Sequence, residues 1–122
     1  MRRLSPRLRS GLSLLALVLA VTAASEAWQA WSARQVGREV AALARPGDIL
    51  MIASDTCAYC AQAREWFTAH AVPYRECSIE RDAACAERFA ALLAPGTPVI
   101  LVRDRPQVGF SPQRVAEALR RS

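Results

Sequence analysis

The chain has 122 residues, 52% of them hydrophobic and 22% charged. That is one small domain, too apolar for a disordered tail and too short for a second large core. The formal net charge of +5 sits at the front: Arg2, Arg3, Arg7 and Arg9 precede the first acid, Glu26, and beyond residue 9 the 12 remaining Arg face 11 Asp and Glu. The basicity is a terminal tag rather than a nucleic-acid surface, so no nucleic-acid partner is expected.

Residues 1–25 read as a signal peptide or a membrane anchor. The four Arg are followed by an uncharged run from Ser10 to Ser25, centred on Leu12, Leu14, Leu15, Leu17, Val18, Leu19 and Val21. Small residues Ala23, Ala24 and Ser25 close it, which completes the three-part pattern of a secretory signal. A helix continued past Glu26 reaches Trp28 and Trp31, whose rings suit a membrane interface. Cleavage after Ser25 and retention as an anchor, with membrane association through residues 10–31, are both open. Either route leaves the Arg cluster in the cytoplasm and carries the rest across, so a periplasmic or other extracytoplasmic location is expected. A twin-arginine address from Arg2 and Arg3 lacks support from the surrounding residues.

Residues 26–46 read as a helical neck, with Trp28, Trp31, Val36, Val40 and Leu43 at steps of mostly three or four and Pro46-Gly47 as the stop. The globular unit is then 47–122. Ile49–Ala53 is an apolar run that predicts a strand covered on both faces. A helix is predicted from about Cys57 to His70, with Ala63, Trp66 and Phe67 inward and Ala61, Arg64 and Glu65 outward. A second strand follows near Tyr74–Ile79, and a second helix near Asp82–Ala94 with Ala86, Phe89, Ala90 and Leu93 on one stripe. Pro95-Gly96 ends that helix. Val99–Val102 is another apolar strand, Arg103–Pro106 reads as a turn, and Gln107–Phe110 as a fourth strand. Ser111-Pro112 suits a helix start, and Val115, Ala118 and Leu119 face inward in the last helix. The fold class is α/β, ordered β-α-β-α-β-β-α, behind a hydrophobic signal or anchor helix.

The chemistry is expected at the end of the first strand, in Cys57-Ala58-Tyr59-Cys60. Two Cys separated by two residues in a βαβ setting read as a redox pair. Residues i and i+3 at a helix start share a face, close enough for a disulfide. The free amides and positive dipole end there favour a thiolate on the first Cys. Cys57 is thus the expected nucleophile and Cys60, one turn deeper, the resolving thiol.

At these residues the sequence resembles the glutaredoxin branch of the thioredoxin-fold superfamily, over roughly residues 48–120. The resemblance implies a compact thioredoxin/glutaredoxin-like fold and thiol–disulfide oxidoreductase activity. It implies that Pro98 is a cis-proline facing the redox pair and that Thr97 offers its backbone to an extended substrate. It likewise implies that Gly109, in Gly109-Phe110-Ser111-Pro112, lets substrate approach closely; Tyr59 and Phe110 complete the expected substrate-binding set. No bound cofactor and no metal are implied, and glutathione is a candidate redox partner beside protein or small-molecule disulfides and thiols. This chain departs from the family at Ala58, where Pro is usual, at Phe110, where a second Gly is usual, and before Cys57, where no Lys occurs. Asp55 stands near the pair and is expected to oppose thiolate formation. Relatives span roughly −270 to −120 mV, so one dipeptide does not fix the potential.

Cys77, in the second strand, and Cys85, near the start of the second helix, are candidates for a structural disulfide, since an even Cys count suits an exported chain. Closing so short a loop is worth about 2.6 kcal/mol by chain entropy. Two buried thiols are the alternative. A four-Cys metal module, zinc or iron–sulfur, competes with the redox reading, although the spacing from Cys77 to Cys85 does not suit zinc. A non-catalytic thioredoxin-fold adaptor is the third reading. His70, the sole His, is placed near a helix C-terminus as a structural or solvated residue.

Overall fold

The computed structural model describes residues 5–121; Arg2 and Arg3 of the basic flank lie outside them. The elements are α1 (Pro6–Leu43), β1 (Ile49–Ala53), α2 (Ala58–Ala69), β2 (Arg75–Ser78), α3 (Ala83–Ala91), β3 (Val99–Val102), β4 (Arg105–Val108) and α4 (Pro112–Arg121). The apolar front and the neck form one continuous helix. No Pro lies between Pro6 and Pro46, and Glu26 alone does not interrupt backbone hydrogen bonding.

Two units divide the chain, one up to Gln35 and one from Val36 onward. In the first, α1 exposes Leu12, Leu14, Leu15, Leu17, Val18, Leu19 and Val21. It is long and apolar enough to cross a membrane: its 38 residues span about 57 Å, against a hydrocarbon core of about 30 Å. Trp28 and Trp31 are exposed, with ring centroids 5.2 Å apart.

The second unit is built on a four-stranded sheet of order β2-β1-β3-β4. β1 is parallel to β2, with Ile52 opposite Cys77, and antiparallel to β3, with Met51 opposite Ile100; β3 is antiparallel to β4. Alternation along the strands divides the core between two faces. Ile49, Met51, Ala53, Ile100 and Val102 pack with Val40 of α1, Ala63 and Phe67 of α2, and Val115, Ala116 and Leu119 of α4. Ile52, Val99 and Leu101 pack on the other face with Cys85 and Phe89 of α3 and with Leu92, its C-cap. Each fully buried aliphatic side chain contributes about 1.5–3 kcal/mol. β1 and β3, the two inner strands, supply most of these, as their uninterrupted apolar runs require.

Three local features differ from the sequence reading. The β3–β4 hairpin turns at Arg103 and Asp104 alone, whose φ values of 48° and 65° give the left-handed pair of a two-residue turn, so β4 begins at Arg105. Pro106 is accommodated because β4 is an edge strand. α3 stops at Ala91, and Leu93 takes φ 52°; Leu92 packs inward while Leu93 is 89% exposed and Ala90 is also exposed. In α4, Ala116 is buried beside Val115 and Leu119, and Ala118 is only partly so.

The helix ends are satisfied locally. Past the C-cap His70, Ala71 adopts φ 52°, its N–H donates to the Thr68 carbonyl and the Val72 N–H donates to the Phe67 carbonyl. This is a Schellman closure with Ala where Gly is commonest. Asp48 ties the α1–β1 turn to the hairpin: its carboxylate accepts from the Arg45 N–H at 2.9 Å and from the Arg103 guanidinium at 3.2 Å. Its pKa is lowered mainly by that Arg45 N–H, with burial opposing and Arg103 adding to the lowering.

Candidate redox site

β1 ends at Ala53, and the chain turns through Ser54–Thr56 into α2, placing Cys57 as its N-cap. Cys57 has an extended backbone, and its Sγ accepts from the Cys60 N–H at 3.0 Å. Here a sulfur takes the place of the usual hydroxyl or carboxylate oxygen at a cap. The two cysteines form a disulfide with Cα atoms 5.2 Å apart. They are not equivalent: Cys57 is half-buried, whereas Cys60 is fully buried in the core beside Ala63 and Phe67. Cys57 is thus the more exposed of the two, and it sits where unpaired helix amides and the positive dipole end favour negative charge.

The start of β3 meets the loop that precedes Cys57 at Ser54, and the end of β4 meets the start of β3. The Thr97–Pro98 peptide is cis, and Pro98 is fully buried. Thr97 Oγ1 lies 2.9 Å from Ser54 Oγ, which ties this loop to the approach of the Cys pair. Gly109, at φ 77°, donates its N–H to the Pro98 carbonyl at 2.8 Å. That left-handed backbone is strained for most residues and free for Gly. Phe110 packs on Trp66 and Phe67, with centroids at 5.6 and 5.3 Å. Tyr59 is exposed on the first turn of α2. A cleft of about 400 Å³ gathers Tyr59, Thr97, Pro98, Gly109, Phe110 and Arg114. Five residues singled out from sequence therefore line one cleft.

Arg114 was not singled out. From the first turn of α4 its guanidinium donates to the Val108 carbonyl at 2.9 Å and makes no ion pair among the described residues. In a chain with 16 Arg, nothing in the sequence marks this one; only the packing of α4 beside β4 brings it to the cleft.

Asp55 behaves otherwise than its charge alone suggests. Its carboxylate accepts from Arg81 at 2.8 and 3.3 Å and from Ser78 Oγ at 3.1 Å, while its N–H donates to Glu80. The Arg81 hydrogen bonds hold its pKa below the usual carboxylate range, with burial opposing and Ser78 assisting. Its carboxylate thus faces Ser78 at the end of β2 and Arg81 in the β2–α3 loop.

Cys77 and Cys85 form a second disulfide, with Cα atoms 6.0 Å apart, linking β2 to the first turn of α3. The four sulfurs are thus partnered pairwise, and among the described residues no group of three or more Cys, His, Asp or Glu is placed to hold a metal ion. His70 packs its ring on Trp66 at 4.4 Å and Nδ1–H donates to the Trp66 carbonyl, so it serves the α2 terminus.

An open α/β sheet of this topology, with a Cys-X-X-Cys at the N-terminus of its first core helix, defines the thioredoxin-fold class of redox proteins. Residues 49–106 match the glutaredoxin family model. Among solved structures, a mutant of a thioredoxin-like protein aligns with a TM-score of 0.55 at 23% identity, over 61% of this chain and 96% of its own. A glutaredoxin from Methanosarcina mazei aligns at 0.51 and 20% identity, over 60% and 78%. A mutated buckwheat glutaredoxin aligns at 0.51 and 12% identity, over 73% and 91%. At these identities the structures establish the fold alone. No curated protein sequence matches the chain. Residues 49–106 are thus glutaredoxin-like in sequence within a thioredoxin-like fold, and the Cys57–Cys60 pair fits a thiol–disulfide oxidoreductase.

Proposed function

We propose that this chain is an extracytoplasmic thiol–disulfide oxidoreductase working through Cys57 and Cys60 and a mixed-disulfide intermediate. The observation that carries the reading is the unequal burial of two bonded sulfurs at a helix N-terminus, Cys57 accessible and Cys60 enclosed. In the reduced state the Cys57 thiolate attacks one sulfur of a substrate disulfide. That bond breaks, its electron pair leaves with the other substrate sulfur as a thiolate, and a Cys57–substrate disulfide forms. Cys60 then gives up its proton and attacks Cys57 Sγ, the substrate departs as a second thiolate, and the Cys57–Cys60 disulfide remains. The same steps reversed oxidise a substrate dithiol.

Tyr59, Gly109 and Phe110 shape the cleft that receives the substrate, and Thr97 presents backbone groups beside Pro98. Substrates are protein or small-molecule disulfides and thiols, with glutathione as candidate redox partner and no bound cofactor. Residues 1–25 act as signal or anchor, 26–46 as neck and 47–122 as the glutaredoxin-like domain; the exposed leucines of α1 support membrane association through residues 10–31.

Disulfide exchange by full-length protein tests the assignment. Cys57→Ser is expected to abolish exchange, and Cys60→Ser to accumulate a mixed disulfide on Cys57. Full activity in Cys57→Ser ends the reading. Equilibration of the pair in glutathione buffers then gives its potential, which separates a reductant from an oxidant.

A further inference from the structure

The Cys77–Cys85 disulfide lies apart from the cleft just described, and its surroundings are not those of a sealed staple. A cavity of about 320 Å³ is lined by both cysteines together with Arg75, Arg88, Glu76, Asp82 and Leu50. A second, of about 670 Å³, reaches Cys77 from the side of Ser54, Ser78 and Arg81. Cys77 is half-buried, whereas Cys85 is 4% exposed. An incoming thiolate therefore meets Cys77, and Cys85 becomes the leaving sulfur. Cys85 occupies the first turn of the nine-residue α3, its N–H held by the N-cap carboxylate of Asp82. The remaining free amides and the positive helix end favour a departing thiolate there, and the Asp82 carboxylate opposes it.

The charges around the cavity suit an anion at one point. Glu76 is paired with Arg64, Arg88 with Asp104, and Asp82 caps α3. Arg75 is exposed on the cavity wall and forms no ion pair among the described residues.

We propose that Cys77–Cys85 is a second exchange centre, which takes an anionic low-molecular-weight thiol in the Arg75-lined cavity and carries it as a mixed disulfide on Cys77. The thiolate attacks Cys77 Sγ, the Cys77–Cys85 bond breaks, and its electron pair passes to Cys85 as a thiolate. A second equivalent of the same thiol attacks the adduct sulfur, releases the small-molecule disulfide and leaves Cys77 reduced. Two thiols are oxidised and one protein disulfide is reduced.

The test uses the full-length Cys57→Ser/Cys60→Ser protein, so its outcome is independent of the function proposed for those residues. The folded protein is equilibrated with glutathione at graded ratios of reduced to oxidised form, acid-quenched, alkylated and mapped by peptide mass. Glutathione is expected on Cys77 with Cys85 alkylated. Arg75→Glu is expected to slow adduct formation with glutathione about threefold or more, by loss of electrostatic attraction, without slowing reaction with the cationic thiol cysteamine. A disulfide that stays intact at every ratio until denaturant is added overturns the proposal, as does an adduct on Cys85 or an equal slowing with both thiols. Should the double variant fail to fold, the same mapping on the native chain distinguishes the two cysteine pairs by peptide.

Discussion

Gly37→Ala should destabilise the unit that begins at Val36, although Gly→Ala within an exposed helix ordinarily gains about 1 kcal/mol. A Cβ at Gly37 would fall 1.9 Å from His70 Cδ2, 2.6 Å from Nε2 and 2.7 Å from Cγ. The ring cannot simply swing away, because its Nδ1–H donates to the Trp66 carbonyl at 2.9 Å and it lies 4.4 Å from the Trp66 ring. Moving it loses a hydrogen bond of about 1 kcal/mol and a ring contact of about 0.5–1.5 kcal/mol. Residual crowding adds about 1–3 kcal/mol. Set against the helix gain, a net loss of about 1.5–4.5 kcal/mol remains, which at about 4–8 °C per kcal/mol lowers Tm by roughly 6 °C or more. Thermal and urea unfolding of the full chain in mild detergent, followed by near-ultraviolet circular dichroism, measures it. In a His70→Ala background the obstacle is gone, and Gly37→Ala should then change stability by less than about 0.5 kcal/mol or improve it. A neutral or stabilising Gly37→Ala in the native background would refute the seating of α1 against the end of α2.

Ala71→Gly should raise Tm by a few degrees, because Ala71 holds a left-handed φ of 52° that costs a side-chain-bearing residue about 1 kcal/mol; an unchanged or lower Tm would contradict the Schellman assignment. The lowered pKa of Asp48 gives stability that is complete above the unfolded carboxyl pKa of about 3.9 and is lost as pH falls through the folded value. Unfolding free energy should therefore fall below about pH 4, and Asp48→Asn should flatten that acid limb; parallel limbs in the two proteins would exclude the carboxylate as the cause. Arg81→Ala removes the main partner of the Asp55 carboxylate, two residues from Cys57. In a Cys60→Ser background, alkylation of Cys57 at neutral pH should slow about twofold to fivefold, and Asp55→Asn should restore the rate; no change in either variant would show that Asp55 does not act on Cys57.

Much of this was legible in the chain itself. Apolar runs at Ile49–Ala53 and Val99–Val102 are long enough only for strands, and both became inner strands, because a β segment without polar alternation needs cover on both faces. The Cys57–Cys60 spacing carries its meaning locally, since one helical turn brings positions i and i+3 onto one side. The end of α3 was less legible: Leu93 fits an apolar stripe by spacing, but a left-handed residue at the helix end changed which leucine points inward.

Sequence alone determined the order and type of the elements from β1 to α4, which two sulfurs are neighbours, and that the front of the chain carries an apolar run, because each follows from contacts within one or two turns of backbone. Tertiary structure alone decided that Cys60 is enclosed while Cys57 is reachable, that Arg81 engages Asp55, that Arg114 joins the cleft, and that Cys77 opens onto cavities. Those outcomes depend on which segments, distant along the chain, the sheet order brings side by side, and burial and charge pairing are properties of that meeting rather than of any one segment.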